Sequence, residues 1–289
     1  MVKETDWYPK KSMPAADRLA FYAARYPIAE ADSTYYFPPG PELAKSWVER
    51  TPDGFTMNVK AYSLLTGHPT RPESLWEDLR AEVKPEFEGK KNVYPDHLPD
   101  EVLDEAWQRF EHALRPLHDA GKLGAVLFQY PQWFTPKRDN RTELARLRER
   151  LPDYRVCVEF RSPRWLHEGD DRARTIEVLA EHNLTLVVLD APQVSGLETV
   201  VAVTTPELAV VRFHGRANDT WKKRVWSAAE RFKYLYDGRE LQEWAPRIEQ
   251  LAGEANEVHA LMNNCYRDYG VKNAADLQAV LASFGADPA

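Results

Sequence analysis

No stretch of the chain approaches the roughly 18 consecutive apolar residues that a membrane-crossing helix needs. The first thirty residues also lack the basic-then-apolar pattern of a secretory leader. We therefore expect a cytoplasmic protein with no membrane partner. Cysteine is scarce: Cys157 and Cys265 are too few for a disulfide framework and stand at no metal-knuckle spacing, which fits a reducing compartment. Positive charge is not in excess either. The net charge of −7 argues against a protein that coats nucleic acid, while leaving room for a basic pocket inside an acidic shell. A Gly-rich phosphate loop, a nucleophile elbow and a dinucleotide fingerprint are all missing, which removes nucleotide hydrolysis and dinucleotide redox chemistry. Repeats and low-complexity tracts are absent, and the 21 prolines are spread out rather than gathered into a linker.

What is present is globular in balance, with 43% hydrophobic and 29% charged residues among 289. Seven short apolar or β-branched runs, bounded by turn residues, begin near Ile28, Phe55, Ala125, Arg155, Leu184, Leu208 and Glu257. Helical patterns lie between them. From about Asp100 to Ala120, Leu103, Trp107, Phe110, Leu114 and Leu117 make one apolar stripe, stopped by Gly121 and Gly124. A helix over roughly Arg239 to Leu251 is expected despite Pro246, and Leu277, Val280, Leu281 and Phe284 give the last helix its buried side. Alternating strands and helices imply right-handed crossovers and a parallel sheet, and at this length a TIM-type (β/α)8 barrel is preferred to an open doubly wound sheet. We expect one barrel domain over residues 1–289, with a proline-rich helical excursion at about 63–124 held over one end. An eight-stranded barrel needs an opening strand, and Met1–Pro9 (MVKETDWYP) contains none. Either the native chain starts upstream, which we expect, or an edge of the sheet must be covered by something else.

Strands of a parallel sheet should read as continuous apolar runs, because both faces are covered. Here nearly every run carries polar residues near its C-terminal end. IAEADSTYY places Glu30, Asp32 and Thr34 on one face by the period of two, and FTMNVKAY does the same for Asn58, Lys60 and Tyr62. AVLFQYP delivers Gln129; RVCVEFR delivers Glu159 and Arg161; LTLVVLDAP delivers Asp190. LAVVRFHGR delivers Arg212, His214 and Arg216, and VHALMNNC delivers Asn263 or Asn264. Active sites of barrels sit at this C-terminal mouth. A structural ion network is the alternative, but buried pairs stabilise poorly beside apolar residues of similar size.

EADSTYYFPP, FTMNVKAYSLLTGHP, GKLGAVLFQYPQWF, VCVEFRSPRW, VVLDAP, VVRFHGR followed by Trp221, ERFKYLYDGREL and MNNC, in this order, resemble the YecE-like family, domain of unknown function 72, over about residues 14–285. The resemblance implies a TIM-type barrel whose activity is not established, with likeness to endonuclease IV and xylose isomerase and hence to DNA or sugar-phosphate substrates. The family's opening GTSGW-like segment has no counterpart here.

A zinc cluster would need several histidines at strand ends, and His214 alone qualifies; His68 falls in a loop. Oxygens of Glu30, Glu159 and Asp190 with His214 suit Mg or Mn in kind, but we favour no cofactor. Metal-free acid/base chemistry fits better, with Glu159 and His214 as the leading catalytic candidates beside Asp190 and Lys60. Lys60 would become a Schiff-base nucleophile only if desolvated beside Arg161 or Arg212. Lys60, Arg161, Arg164, Arg212 and Arg216 read as a receptor for a small anionic ligand, lined further by Glu30, Asp32, Gln129, Asn263 and Asn264. Trp221, Trp226, Phe232, Tyr234 and Tyr236 either stack on a base or sugar, which keeps nucleic acid open as a partner, or pack against the barrel.

Overall fold

A computed structural model describes residues 7–221 and 228–285 of the chain; Trp226 lies outside the described residues. Seven strands among them match the seven runs: β1 (Ile28–Ala31), β2 (Thr56–Lys60), β3 (Leu123–Tyr130), β4 (Val156–Phe160), β5 (Leu184–Asp190), β6 (Ala209–Phe213) and β7 (Val258–Met262). They follow one another in chain order in one sheet, with helices in most crossovers, which makes the fold an α/β barrel. β4, β5 and β6 are buried along their whole length, as strands covered on both faces must be. No strand precedes Ile28 among the described residues; the helix Ala15–Ala23 comes first.

The excursion between β2 and β3 is a series of single 3₁₀ turns, three of them opened by Pro72, Pro85 and Pro95, with one short α-helix, Glu77–Ala81, among them, leading into the helix Asp100–Asp119. Proline suits a first turn because that position needs no N–H donor. The same rule corrects the helix expected over Arg239–Leu251. Two helices are found, Gly238–Gln242 and Ala245–Glu254, and Pro246 sits in the first turn of the second. The first is fixed by a capping box in which Asp237 accepts from the N–H of Glu240 and Glu240 accepts from that of Asp237. Phe284 is corrected too: it caps the end of Tyr269–Ser283 and is exposed, while Leu277 and Leu281 are buried as expected.

Contacts gather the chain into two compact units. Residues 19–134 and 146–161 carry β1–β4; the described residues of 1–18, 135–145 and 162–289 carry β5–β7. In the first unit a β-bulge decides which side chains share a face. Met57 pairs with Leu123 but Val59 pairs with Val126, so β3 spends one extra residue there. Without it Lys60 would align with Val126; with it Lys60 aligns with Leu127, and Leu127 and Gln129 align with Cys157 and Glu159. Because a one-residue slip exchanges faces, the bulge is what puts Lys60 on the face of Gln129 and Glu159.

In the second unit the faces are set by packing. Phe213 rests on Tyr236 (5.7 Å between ring centroids) and Trp244 (4.9 Å), in a cluster with Leu241, Ile248 and Leu251 from the helices. Phe213 therefore faces the helices, and so does its register partner Asp190, whereas Arg212 aligns with Leu189 and Leu261 on the opposite face.

Candidate functional site

The ends of β1–β4 gather one polar cluster within the first unit. β1 stops at Ala31, and Asp32–Tyr35 forms a 3₁₀ turn instead of continuing the strand, so the expected single-face row of Glu30, Asp32 and Thr34 is broken. The cause is Thr34, a buried side chain whose hydroxyl bonds the carbonyls of Ala31 (2.7 Å) and Lys60 (2.6 Å) and ties the turn to the end of β2. That turn brings Asp32 to 3.4 Å from Lys60 Nζ and lays Tyr35 under the same ammonium, 4.7 Å from its ring centre. Burial pushes the Tyr35 hydroxyl up to about 12, with Tyr36 adding to it.

On β4 and just after it, Glu159 is fully buried and stands 2.6 Å from Arg161 Nε, while Arg161 Nη2 donates to Gln129 Oε1 at 3.1 Å. Glu30 aligns with Asn58, whose fully buried carboxamide makes no hydrogen bond among the described residues. Tyr62 lies past the end of β2 and leaves the row: it is buried with its hydroxyl on the carbonyl of Ser74.

His68 is the member that sequence reasoning missed. Its loop turns at Gly67, which adopts a left-handed φ of 69°, and folds the ring back between Tyr35 (5.3 Å) and Trp133 (6.1 Å). The Thr66 hydroxyl stands 2.8 Å from His68 Nδ1 and 3.1 Å from the carbonyl of Ser63, which fixes the Nδ1 side of the ring. Burial, then Lys60, then Arg161 lower the His68 pKa from 6.5 to about 4, so the imidazole is neutral at pH 7. The useful signal in the sequence is Gly67, whose left-handed turn returns the loop to the strand ends.

The ends of β5–β7 are arranged differently. Asp190 was expected at the mouth beside Arg212; instead it faces the helices, where Arg216 grips it with Nε (3.0 Å) and Nη2 (2.8 Å) and Trp244 Nε1 donates to Oδ2. Arg216 Nη1 reaches Glu243 at 3.1 Å and Glu240 at 3.5 Å, so its fork, expected to receive a ligand, is taken by three carboxylates that hold it protonated. Tyr234 also leaves the expected ligand set, donating to Glu240. Burial and that bond push its pKa up. Arg212 is fully buried and engaged within the fold, not presented to solvent. Asn263 and Asn264 separate by parity. Asn264 turns to the helices, donating to Tyr234 O and Asn273 Oδ1, while Asn263 Nδ2 donates to His214 Nδ1 at 2.7 Å. The His214 ring has Trp221 at 6.3 Å and Phe232 at 5.8 Å. Arg164 is exposed on the turn Pro163–Trp165. Among the described residues no three His, Cys, Asp or Glu side chains converge as a metal-holding group.

Strand order and crossovers define an α/β barrel protein with polar groups at its strand ends. The chain belongs to the DUF72 family of proteins of unknown function, whose family model matches residues 2–288. It is similar to the UPF0759 protein YunF of Bacillus subtilis (strain 168), 28% identical over 263 residues that make up 89% of this chain and 83% of YunF. Two solved DUF72 family structures share the fold. EF0366 of Enterococcus faecalis V583 matches with 25% identity and a TM-score of 0.76, covering 95% of this chain and 90% of that one. TM1631 of Thermotoga maritima MSB8 matches with 27% identity and a TM-score of 0.75, covering 97% and 95%. No helix among the described residues is long and apolar enough to cross a membrane.

Proposed function

We propose that the ends of β1–β4 bind a small anionic ligand and act on it by general acid/base chemistry. Lys60 and Arg161 hold the anion, and the His68 imidazole takes a proton from the ligand and returns it. The observation that supports this most strongly is the field at His68: the charges that act on its ring, Lys60 and Arg161, are both positive, on an imidazole kept neutral and half-buried. An anion between those cations cancels the field, raises the basicity of the imidazole, and so creates a competent base only when ligand is bound. Glu159 orients Arg161, and Asp32 at the rim partners Lys60 when no anion is present. The fully buried Arg212 and the engaged Arg216 take no part in this scheme, and His214 with Asn263 is left as a separate polar pair.

Thermal melting with rising phosphate, sulfate and sugar phosphates tests the binding step, because a ligand selective for the folded state raises the melting temperature by mass action. Wild type should be stabilised and Lys60→Met should not. Equal stabilisation of both, or of neither, contradicts the reading.

A further inference from the structure

Beside the two cations stands a wall of aromatic rings. Tyr36 packs edge-on against Tyr35 (5.2 Å), Tyr35 against His68 (5.3 Å), and His68 against Trp133 (6.1 Å). The inner rings are the ones that meet Lys60. The outer two face solvent, Tyr36 at 64% exposure and Trp133 at 60%. A frayed loop does not account for Trp133. The turn that presents it is closed by the Phe134 N–H on the Pro131 carbonyl (3.0 Å) and pinned by Phe134 stacking on the buried Tyr130, with 3.9 Å between centroids and 12° between planes. Tyr36 is likewise fixed by its N–H on the Ser33 carbonyl (3.1 Å). A pinned, solvent-facing tryptophan at the edge of a polar cluster is an open stacking surface, and stacking tolerates any flat π-system.

We propose that the ligand of this site carries a flat unsaturated ring that stacks on Trp133, joined to the anionic group held by Lys60 and Arg161. This inference rests on the anion reading above and adds the ligand's second half. The chemistry is that of a phosphate bearing an aryl or heteroaryl group, whether a nucleoside monophosphate or a simple aryl phosphate. Trp133 and Tyr36 then set specificity, and neither touches the transferred proton.

The full chain is titrated with inorganic phosphate, ribose 5-phosphate, phenyl phosphate and adenosine 5′-monophosphate, for wild type, Trp133→Leu and Trp133→Phe. Trp133 is mostly exposed, so both variants should fold, and their unfolding curves verify it. Ring-bearing phosphates should bind about tenfold or more tightly than ribose 5-phosphate to wild type, quenching fluorescence that Trp133→Leu lacks. Trp133→Leu should bind them no better than ribose 5-phosphate, and Trp133→Phe should recover part of the gap. A gain with adenosine monophosphate alone assigns the ring to a nucleoside; a gain with both assigns it to aryl phosphates in general. Equal affinity for all four compounds overturns the ring and leaves the anion site standing. Binding of none overturns both. Tight, strongly salt-dependent binding of a single-stranded oligonucleotide, with adenosine monophosphate no better than ribose 5-phosphate, overturns it in favour of a polymer.

Discussion

The strand ends of the two units use the same residue types to opposite ends. Around β5–β7, Asp190, Arg216, Glu240, Glu243, Trp244 and Tyr234 are bonded to one another, and Asn264 and Asn273 to each other and to the backbone. The side-chain donors of this set meet protein acceptors, which is what buried polar groups require for stability. Around β1–β4, a neutral histidine with one basic nitrogen is held under the field of two cations, at a place where two aromatic rings stand open to solvent. A polar cluster at strand ends is therefore not in itself a site; what distinguishes the two is the neutral histidine beside the cations and the rings that stand open to solvent. Carboxylate and guanidinium counts, which are all a sequence offers, cannot separate them.

Removing a keystone from each cluster should break the symmetry of appearance. Asp190→Ala takes the acceptor from Nε and Nη2 of Arg216, which keeps Glu243 and Glu240 on Nη1, and from the buried Trp244 N–H, and should cost about 3–5 kcal/mol of unfolding free energy. Urea denaturation measures it; a loss below about 1 kcal/mol would mean that the β5–β7 network is not structural.

The next effect is a pH dependence. The folded pKa of His68 is lowered to about 4 from 6.5, so between those values the unfolded chain binds a proton that the folded chain does not. Stability from this group is complete above about pH 6.5 and declines as pH falls toward 4, by on the order of 2–3 kcal/mol. His68→Asn should lack that component. Unfolding curves of the two proteins at pH 7.5 and 4.5 give the difference, and identical pH slopes would refute the depressed pKa.

Gly215→Ala comes third. Gly215 has φ of 82°, and a Cβ there would lie 2.5 Å from Cβ of Tyr234, so the segment that carries Arg216 must shift. A loss of about 1–3 kcal/mol is expected, again from denaturant curves. The smallest stability change, under about 1 kcal/mol, is predicted for Lys60→Met, which keeps most of the side-chain stem and gives up a loose pair to a half-exposed Asp32. A larger loss would place Lys60 among structural residues and erase the contrast between the units.

Much of the fold was readable because parallel strands announce themselves as apolar runs: all seven begin within two residues of where the sequence placed them. The Asp100–Asp119 helix was equally plain from its stripe. Face assignment was not, since parity within one strand says nothing about register with the next. Lys60 reached the face of Glu159 through an extra residue in β3 near Gly124, and Asp190 went to the helices because Phe213 opposite it did. Asp32 left its strand through Thr34 hydroxyl bonds that no periodicity encodes. His68 reads from the sequence as a loop residue, yet a loop returning to the strand ends brings its side chain where a strand residue would be. The gathering of Lys60, Gln129, Glu159 and Arg161 at one set of strand ends was legible because they sit on or just beyond regular strands; the pairing of Arg216 was not, because Glu240 and Glu243 lie 24 and 27 residues along the chain, and Tyr234 meets Glu240 across the turn that opens the helix at Gly238.

The coupling between anion and base is tested most directly by the His68 imidazole itself, followed by NMR across pH 3–8 with and without saturating phosphate and assigned through His68→Asn. We predict a pKa near 4 in the free protein, rising by about one unit or more when phosphate occupies Lys60 and Arg161. A free-protein value near 6.5, or a depressed value that phosphate leaves unmoved, would contradict the account.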